Sequence, residues 1–219
     1  MQSPGELNGP TVPPAAGGDP SSIVVLLHGY GSNGHDLIGL VPYWRDALPY
    51  TLFVAPNAPE VCPGAPGGYQ WWSLTSGPEA DRASGVRRPV AAVNRFIDHA
   101  LERYRLPADK LALVGFSQGT MLALHVGPRR DPSLAGILGY SGMLVDGESL
   151  AGELRSTPPV LLVHGDADAM VPVSSTREAE AALRRLGFEV RSHVSPGLGH
   201  SIDEAGIKLG GQFLGDILG

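Results

Sequence analysis

Six short apolar runs punctuate the chain, and each has the length of a strand rather than a helix. Ile23–Leu27 reads IVVLL, continuous and β-branched at its start, which is the pattern of a strand buried on both faces. Thr51–Ala55 stops at Pro56, and Leu111–Val114, Leu134–Tyr140, Val160–His164 and Phe188–Val194 complete the set. Between these runs apolar residues return at helical spacing. Val86, Val90, Val93, Ile97, Leu101 and Tyr104 fall at steps of three and four, which predicts one helix over Val86–Tyr104. Met121, Leu122, Leu124 and His125 predict a second helix after Ser117. A third spans Ser175 to Leu186, with arginines in its last turns and Gly187 as its stop. A last helix is expected after Gly199, diluted by Gly206, Gly210, Gly211 and Gly215. Strands alternating with helices predict an α/β fold, a mostly parallel central sheet with helices on both faces. Residues 1–22 carry prolines and glycines without apolar periodicity, so a flexible arm is expected ahead of one domain over 23–219.

Composition changes the picture mainly by exclusion. Of 219 residues, 42% are hydrophobic and 17% charged, enough apolar material for a core and too little charge for a disordered chain. Sixteen basic and twenty-two acidic residues give a net charge of −6, which argues against a nucleic-acid partner. Cys62 is the single cysteine, so neither an intramolecular disulfide nor a cysteine-based zinc site is available. The apolar runs fall far short of the roughly 20 residues a membrane span needs. No signal-peptide pattern or lipidation motif is evident, so the expected address is the cytoplasm, with no stable membrane anchor. Monomer and homodimer both fit.

In an open parallel sheet, functional groups gather beyond the carboxyl ends of the strands. After Leu111–Val114 stands Gly115-Phe116-Ser117-Gln118-Gly119, a G-x-S-x-G turn between a strand and a helix. Such a turn lifts a serine hydroxyl above the sheet, and the following helix points its N-terminus at developing negative charge. A serine needs a base to take its proton. Seven histidines compete. His35, His99, His125, His164 and His193 lie within elements or early loops, where structural roles are the rule, whereas His200 combines a late loop with a flanking glycine. The imidazole then needs an acceptor for its other N–H. Asp166 and Asp168 both follow the strand ending at His164, and loop geometry alone does not choose between them. His28-Gly29-Tyr30-Gly31 follows the first strand and suits an oxyanion hole, with the amides of Tyr30 and Gln118 as the two donors.

Taken together, LLHGYGSNG, GFSQG, HGDADAMVP and GLGH resemble the phospholipase/carboxylesterase group of α/β-hydrolases, from Ile23 to the C-terminus. The resemblance selects Asp168 as the triad acid and supports Ser117 as nucleophile and His200 as base. It also places Gly68–Leu74 as the family's tryptophan loop beside the active site. Trp71, Trp72 and Leu74 become candidates for the substrate wall, with anchoring of the loop as the other role open to the tryptophans. At Thr120 the eukaryotic thioesterases usually carry glycine, so the sequence looks more like a bacterial carboxylesterase. The implied activity is hydrolysis of small-molecule carboxylic esters of short to medium acyl length. Lysophospholipase or acyl-protein thioesterase action on long chains is the alternative. Neither metal nor cofactor is implied.

Overall fold

The computed structural model describes residues 7–74 and 80–219. Its framework is a seven-stranded sheet built from β1 (Thr11–Val12), β2 (Ser22–Leu27), β3 (Thr51–Val54), β6 (Leu111–Phe116), β7 (Gly136–Tyr140), β8 (Val160–Gly165) and β9 (Val190–Ser195). A separate hairpin pairs β4 (Glu60–Val61) with β5 (Tyr69–Gln70). The sheet order is β1-β3-β2-β6-β7-β8-β9, and every neighbouring pair is parallel except β1 with β3. Parallel strands need covering helices. These are α1 (Gly34–Leu37), α2 (Ala80–Arg87), α3 (Val90–Tyr104), α4 (Gln118–Val126), α5 (Gly147–Glu153), α6 (Ser174–Arg185) and α7 (Glu204–Leu218).

Side-chain alternation along the strands divides the core in two. Ile23, Val25 and Leu27 face a cluster with Val93 and Ile97 of α3, Leu122 and Leu124 of α4, and Leu183 of α6. Val24 and Leu26 face the opposite cluster with Trp44, Phe213, Leu214 and Leu218. Both faces of β2 are sealed, which is why that run contains no polar interruption.

Three elements depart from the sequence pattern. The helix expected over Val86–Tyr104 is two helices, α2 and α3, because Pro89 stands at the N-cap of α3 and cannot donate to an earlier turn. Periodicity alone carried across that proline. The residues beyond the first six of the expected flexible arm lie against the fold. Leu7 is buried, and β1 adds an antiparallel strand to β3 through Thr11↔Val54 and Val12↔Phe53. Two residues of strand are too short to register as a pattern. Residues 1–6 of that arm lie outside the described residues.

One buried group sets an acid limit on the fold. His125 of α4 is 1% exposed, and its Nδ1 has no hydrogen-bond partner among the described residues. Burial, then the positive charges of Arg129 and Arg87, push its pKa down to about 4. The two arginines are themselves held by Glu153, at 2.6 Å from Arg129 and 2.9 Å from Arg87. Because the folded pKa is lowered, the unfolded chain binds the proton first. Stability is fully present above the unfolded value, about 6.5, and is lost as pH falls toward the folded value. Between about pH 6.5 and 4 the loss should be on the order of 3 kcal/mol from this group. The stability of wild type should therefore fall more steeply on acidification than that of His125→Leu. Identical pH slopes for the two proteins would remove His125 from the account.

Candidate active site

Sheet order brings the candidate residues together. β2 and β6 are neighbours, so the loops leaving them, His28–Gly31 and the Ser117 turn, emerge side by side. β8 and β9 are neighbours too, and they deliver Asp168 and His200. Tyr30, Leu74, Ser117, Gln118 and His200 line one cavity of about 760 Å³.

Ser117 has φ 52° and ψ −113°, a conformation that costs an L-residue about 1–3 kcal/mol and is held by its surroundings. Its N–H donates to Tyr140 O at 2.9 Å, and its side chain makes no cap bond to α4, so the hydroxyl is not spent on the helix. The flanking glycines are sterically required. A Cβ on Gly119 would lie 1.8 Å from Leu27 O of β2, and one on Gly115 would lie 2.4 Å from the Thr120 amide of α4. Thr120, the departure from the family pattern, donates its hydroxyl to Tyr140 O at 2.8 Å. Its Cγ2 fills the space above Gly139, where an added Cβ would meet it at 2.6 Å.

The two aspartates do different things. Asp168 Oδ1 accepts the amides of Met170 and Val171 at 2.8 and 2.9 Å, and Oδ2 accepts His200 Nδ1 at 2.6 Å. Burial would raise this carboxyl, but the Val171 amide, His200 and the Met170 amide outweigh it and hold the pKa below its ordinary value. Asp166 Oδ1 instead accepts the Gly197 amide at 2.6 Å, which ties down the loop carrying His200. That loop passes so close to the end of β8 that a Cβ on Gly165 would lie 2.1 Å from Leu198 O. With Nδ1 engaged by Asp168, Nε2 is the ring nitrogen available to a serine proton. The ring of Phe116, the residue before Ser117, lies 5.0 Å from the His200 ring.

Trp71 and Trp72 stand apart from the cavity wall. Both are fully buried, at 0% and 1% exposure, and neither lines the cavity. Their loop instead braces the two oxyanion candidates. Gln118 accepts the Trp71 amide through Oε1 at 2.9 Å and donates through Nε2 to Trp72 O at 2.8 Å. Trp71 Nε1 donates to His28 O at 2.9 Å, and the Gly31 amide donates to Tyr69 O at 2.9 Å. Trp72 packs on α2, where a Cβ at Gly85 would lie 2.4 Å from its ring. His28 extends the brace. Its Nδ1 must donate to Gly29 O at 2.7 Å, so Nε2 is bare and accepts the Ala58 amide at 2.9 Å. Burial lowers its pKa and keeps this neutral form. The sequence signal for this role was slight: a histidine directly after a strand buried on both faces needs partners for two nitrogens. Of the three wall candidates only Leu74 reaches the cavity, 42% exposed, and Met170 joins it there at 75%.

Apolar side chains reach the cavity from both faces of the sheet. Leu37, Leu40, Phe116 and Ile202 belong to the face of α7, and Met121, Met143 and Val171 to the face of α3 and α4. A parallel sheet with a serine on the turn after its central strand, and a histidine–aspartate pair on the loops after its last two, defines an α/β-hydrolase. Residues 14–216 match the phospholipase/carboxylesterase family, and the chain belongs to it. It is a serine hydrolase of that family. It is 29% identical to acyl-protein thioesterase 1 of Neurospora crassa over 198 residues, covering 83% of this chain and 80% of that one. It is 25% identical to esterase YpfH of Escherichia coli, covering 85% and 79%. Among solved structures, esterase PE8 superposes with a TM-score of 0.93 at 43% identity, covering 97% of this chain and all of that one. Acyl-protein thioesterase 2 of Zea mays superposes with a TM-score of 0.77 at 26% identity, with 95% and 98% covered. No helix among the described residues is long and apolar enough to cross a membrane.

Proposed function

We propose that the chain is a carboxylesterase acting on small esters of short to medium acyl length, through Ser117, His200 and Asp168. The observation that carries this is the 2.6 Å bond from His200 Nδ1 to Asp168 Oδ2, with His200 opening on the same cavity as Ser117. That bond fixes the tautomer in which Nε2 can accept a proton. Ser117 Oγ attacks the ester carbonyl as Nε2 takes its proton, and the new imidazolium is stabilised by Asp168. The tetrahedral oxyanion is received by the amides of Tyr30 and Gln118 and by the first turn of α4. His200 then returns the proton to the alkoxide, which leaves with it. Water, deprotonated by the same histidine, cleaves the acyl-enzyme and restores the serine.

The long-chain reading, lysophospholipase or acyl-protein thioesterase, has its own support. Several similar curated proteins are named acyl-protein thioesterase 1, and exposed Leu74 and Met170 extend apolar surface outward from the cavity. Hydrolysis of p-nitrophenyl esters from two to sixteen acyl carbons, beside the matching acyl thioesters, separates the readings. A maximum at short chains, with esters preferred to thioesters, is the expected result. A rate that climbs to the longest chains, or a preference for thioesters, would replace the carboxylesterase reading with the thioesterase one.

A further inference from the structure

His164, the penultimate residue of β8, stands behind the proposed triad acid with its side chain fully removed from solvent. Its Nε2 is 2.9 Å from Val171 O and 3.1 Å from Asp168 Oδ2. A carbonyl oxygen only accepts, so Nε2 carries the proton. In a neutral ring Nδ1 is then bare, and it accepts the hydroxyl of Thr176 on α6 at 2.7 Å. The hydrogen bonds therefore run in one direction. Thr176 donates to His164, His164 donates to Val171 O with Asp168 Oδ2 3.1 Å from the same nitrogen, and Asp168 accepts His200 from the other side.

We propose that His164 is a positioning residue of the hydrolytic site, clamping the carboxylate oxygen that orients His200. The proposal rests on the reading of Ser117, His200 and Asp168 as the catalytic groups. A carboxylate offers about four lone-pair sites. Here Oδ1 takes two amides and Oδ2 takes His200, while the N–H edge of His164 sits 3.1 Å from Oδ2 on its other side, so a rotation of the group would break one of the three bonds or drive Oδ2 into the His164 ring. Removing His164 frees one quadrant of Oδ2. The carboxylate can then turn about Oδ1, and the plane in which it presents Oδ2 to His200 is no longer defined. Oδ2 also loses the polar N–H edge that lies 3.1 Å from it. Thr176 acts one step further back, because its hydroxyl holds the Nδ1 edge of the ring whose Nε2 proton Val171 O fixes beside Asp168. The site already described uses neither residue.

The test compares His164→Leu, His164→Gln and Thr176→Val with wild type on one ester. Active molecules are counted by complete labelling with a fluorophosphonate, so that partial unfolding does not enter kcat. His164→Leu should lower kcat per labelled site about 10–100-fold with KM little changed, the range seen when a partner that orients a functional side chain is removed. The glutamine amide can place a donor where Nε2 stood, so His164→Gln should recover most of that loss. Thr176→Val is close to isosteric and should lower kcat about threefold to tenfold. A merely structural histidine would lower thermal stability and leave kcat per labelled site unchanged in all three variants, and that result would overturn the proposal. So would a glutamine variant as slow as the leucine one. Should His164→Leu not fold, Thr176→Val decides alone: a fall in kcat at unchanged KM supports the proposal, and wild-type kcat overturns it. Ser117→Ala in the same assay reports separately on the underlying reading, because full activity there would remove the triad itself rather than the role of His164.

Discussion

Ser117→Ala should lower kcat for ester hydrolysis by about a million-fold while leaving the protein as stable as wild type to within about 0.5 kcal/mol. The asymmetry follows from what the side chain does and does not touch. Its hydroxyl makes no cap bond to α4, so the helix keeps its first turn when the oxygen is removed. The strained φ of 52° is met equally by alanine, since the strain arises at Cβ, which both residues have. Neighbouring glycines, whose added Cβ atoms would strike Leu27 O and the Thr120 amide, are undisturbed and continue to enforce the turn. Chemistry is lost because the hydroxyl that forms the acyl-enzyme in the proposed mechanism is gone. The remaining rate should still exceed that in water, by about a thousandfold or more, from the oxyanion donors and substrate binding alone. Circular dichroism, thermal denaturation and the burst of p-nitrophenol from a slow-turnover ester together check this. A variant that keeps more than about one per cent of wild-type kcat would mean that Ser117 is not the nucleophile.

Much of the architecture could be read from the sequence because burial on two faces leaves an unambiguous trace. IVVLL at Ile23–Leu27 and VLLVH at Val160–His164 have no polar residue facing outward, and both are strands. The elbow was legible for a different reason. Gly115 and Gly119 are demanded by backbone atoms on β2 and α4, so the motif is a steric record of the packing around Ser117. Elements whose stability comes from elsewhere left less. β1 has only two residues and is held by β3, not by its own apolar content. The hairpin of β4 and β5 is tied to Ser32 and Gly31 through Tyr69, contacts that no local pattern records. The tryptophans show the limit most clearly. Two adjacent indoles in a proline- and glycine-rich loop read equally as wall or anchor. The anchoring role is decided by partners far away in the chain: Gln118 for both backbones, His28 for the Trp71 indole. The choice between Asp166 and Asp168 was of the same kind. Two carboxylates two residues apart differ only in which loop amides they meet.

Those amides make the aspartates separable by a single atom. Asp168→Asn should lower kcat by about 10⁴ near neutral pH, the scale of loss when a triad acid becomes its amide. The Met170 and Val171 N–H groups both point at Oδ1, so the asparagine must keep its carbonyl oxygen there. Its NH2 then falls where Oδ2 was and faces the His200 Nδ1 donor, with the His164 N–H edge 3.1 Å away on its other side. His200 escapes the clash only by moving its proton to Nε2. In that tautomer it has no lone pair for the Ser117 proton, and the base is disabled with every heavy atom close to its original place. His164 has no such escape, because Val171 O still requires its Nε2 proton, so the variant should also be less stable. Asp166→Asn has neither problem. The oxygen that accepts the Gly197 amide is retained and the second atom is exposed, so kcat should stay within about threefold of wild type. Parallel kcat and KM measurements on the two variants decide between the carboxylates. If Asp166→Asn were the inactive protein and Asp168→Asn the active one, the acid of the triad would have to be reassigned. The 2.6 Å bond between His200 and Asp168 would then be structural, and the loop of Gly197 would have to move to bring Asp166 to the histidine.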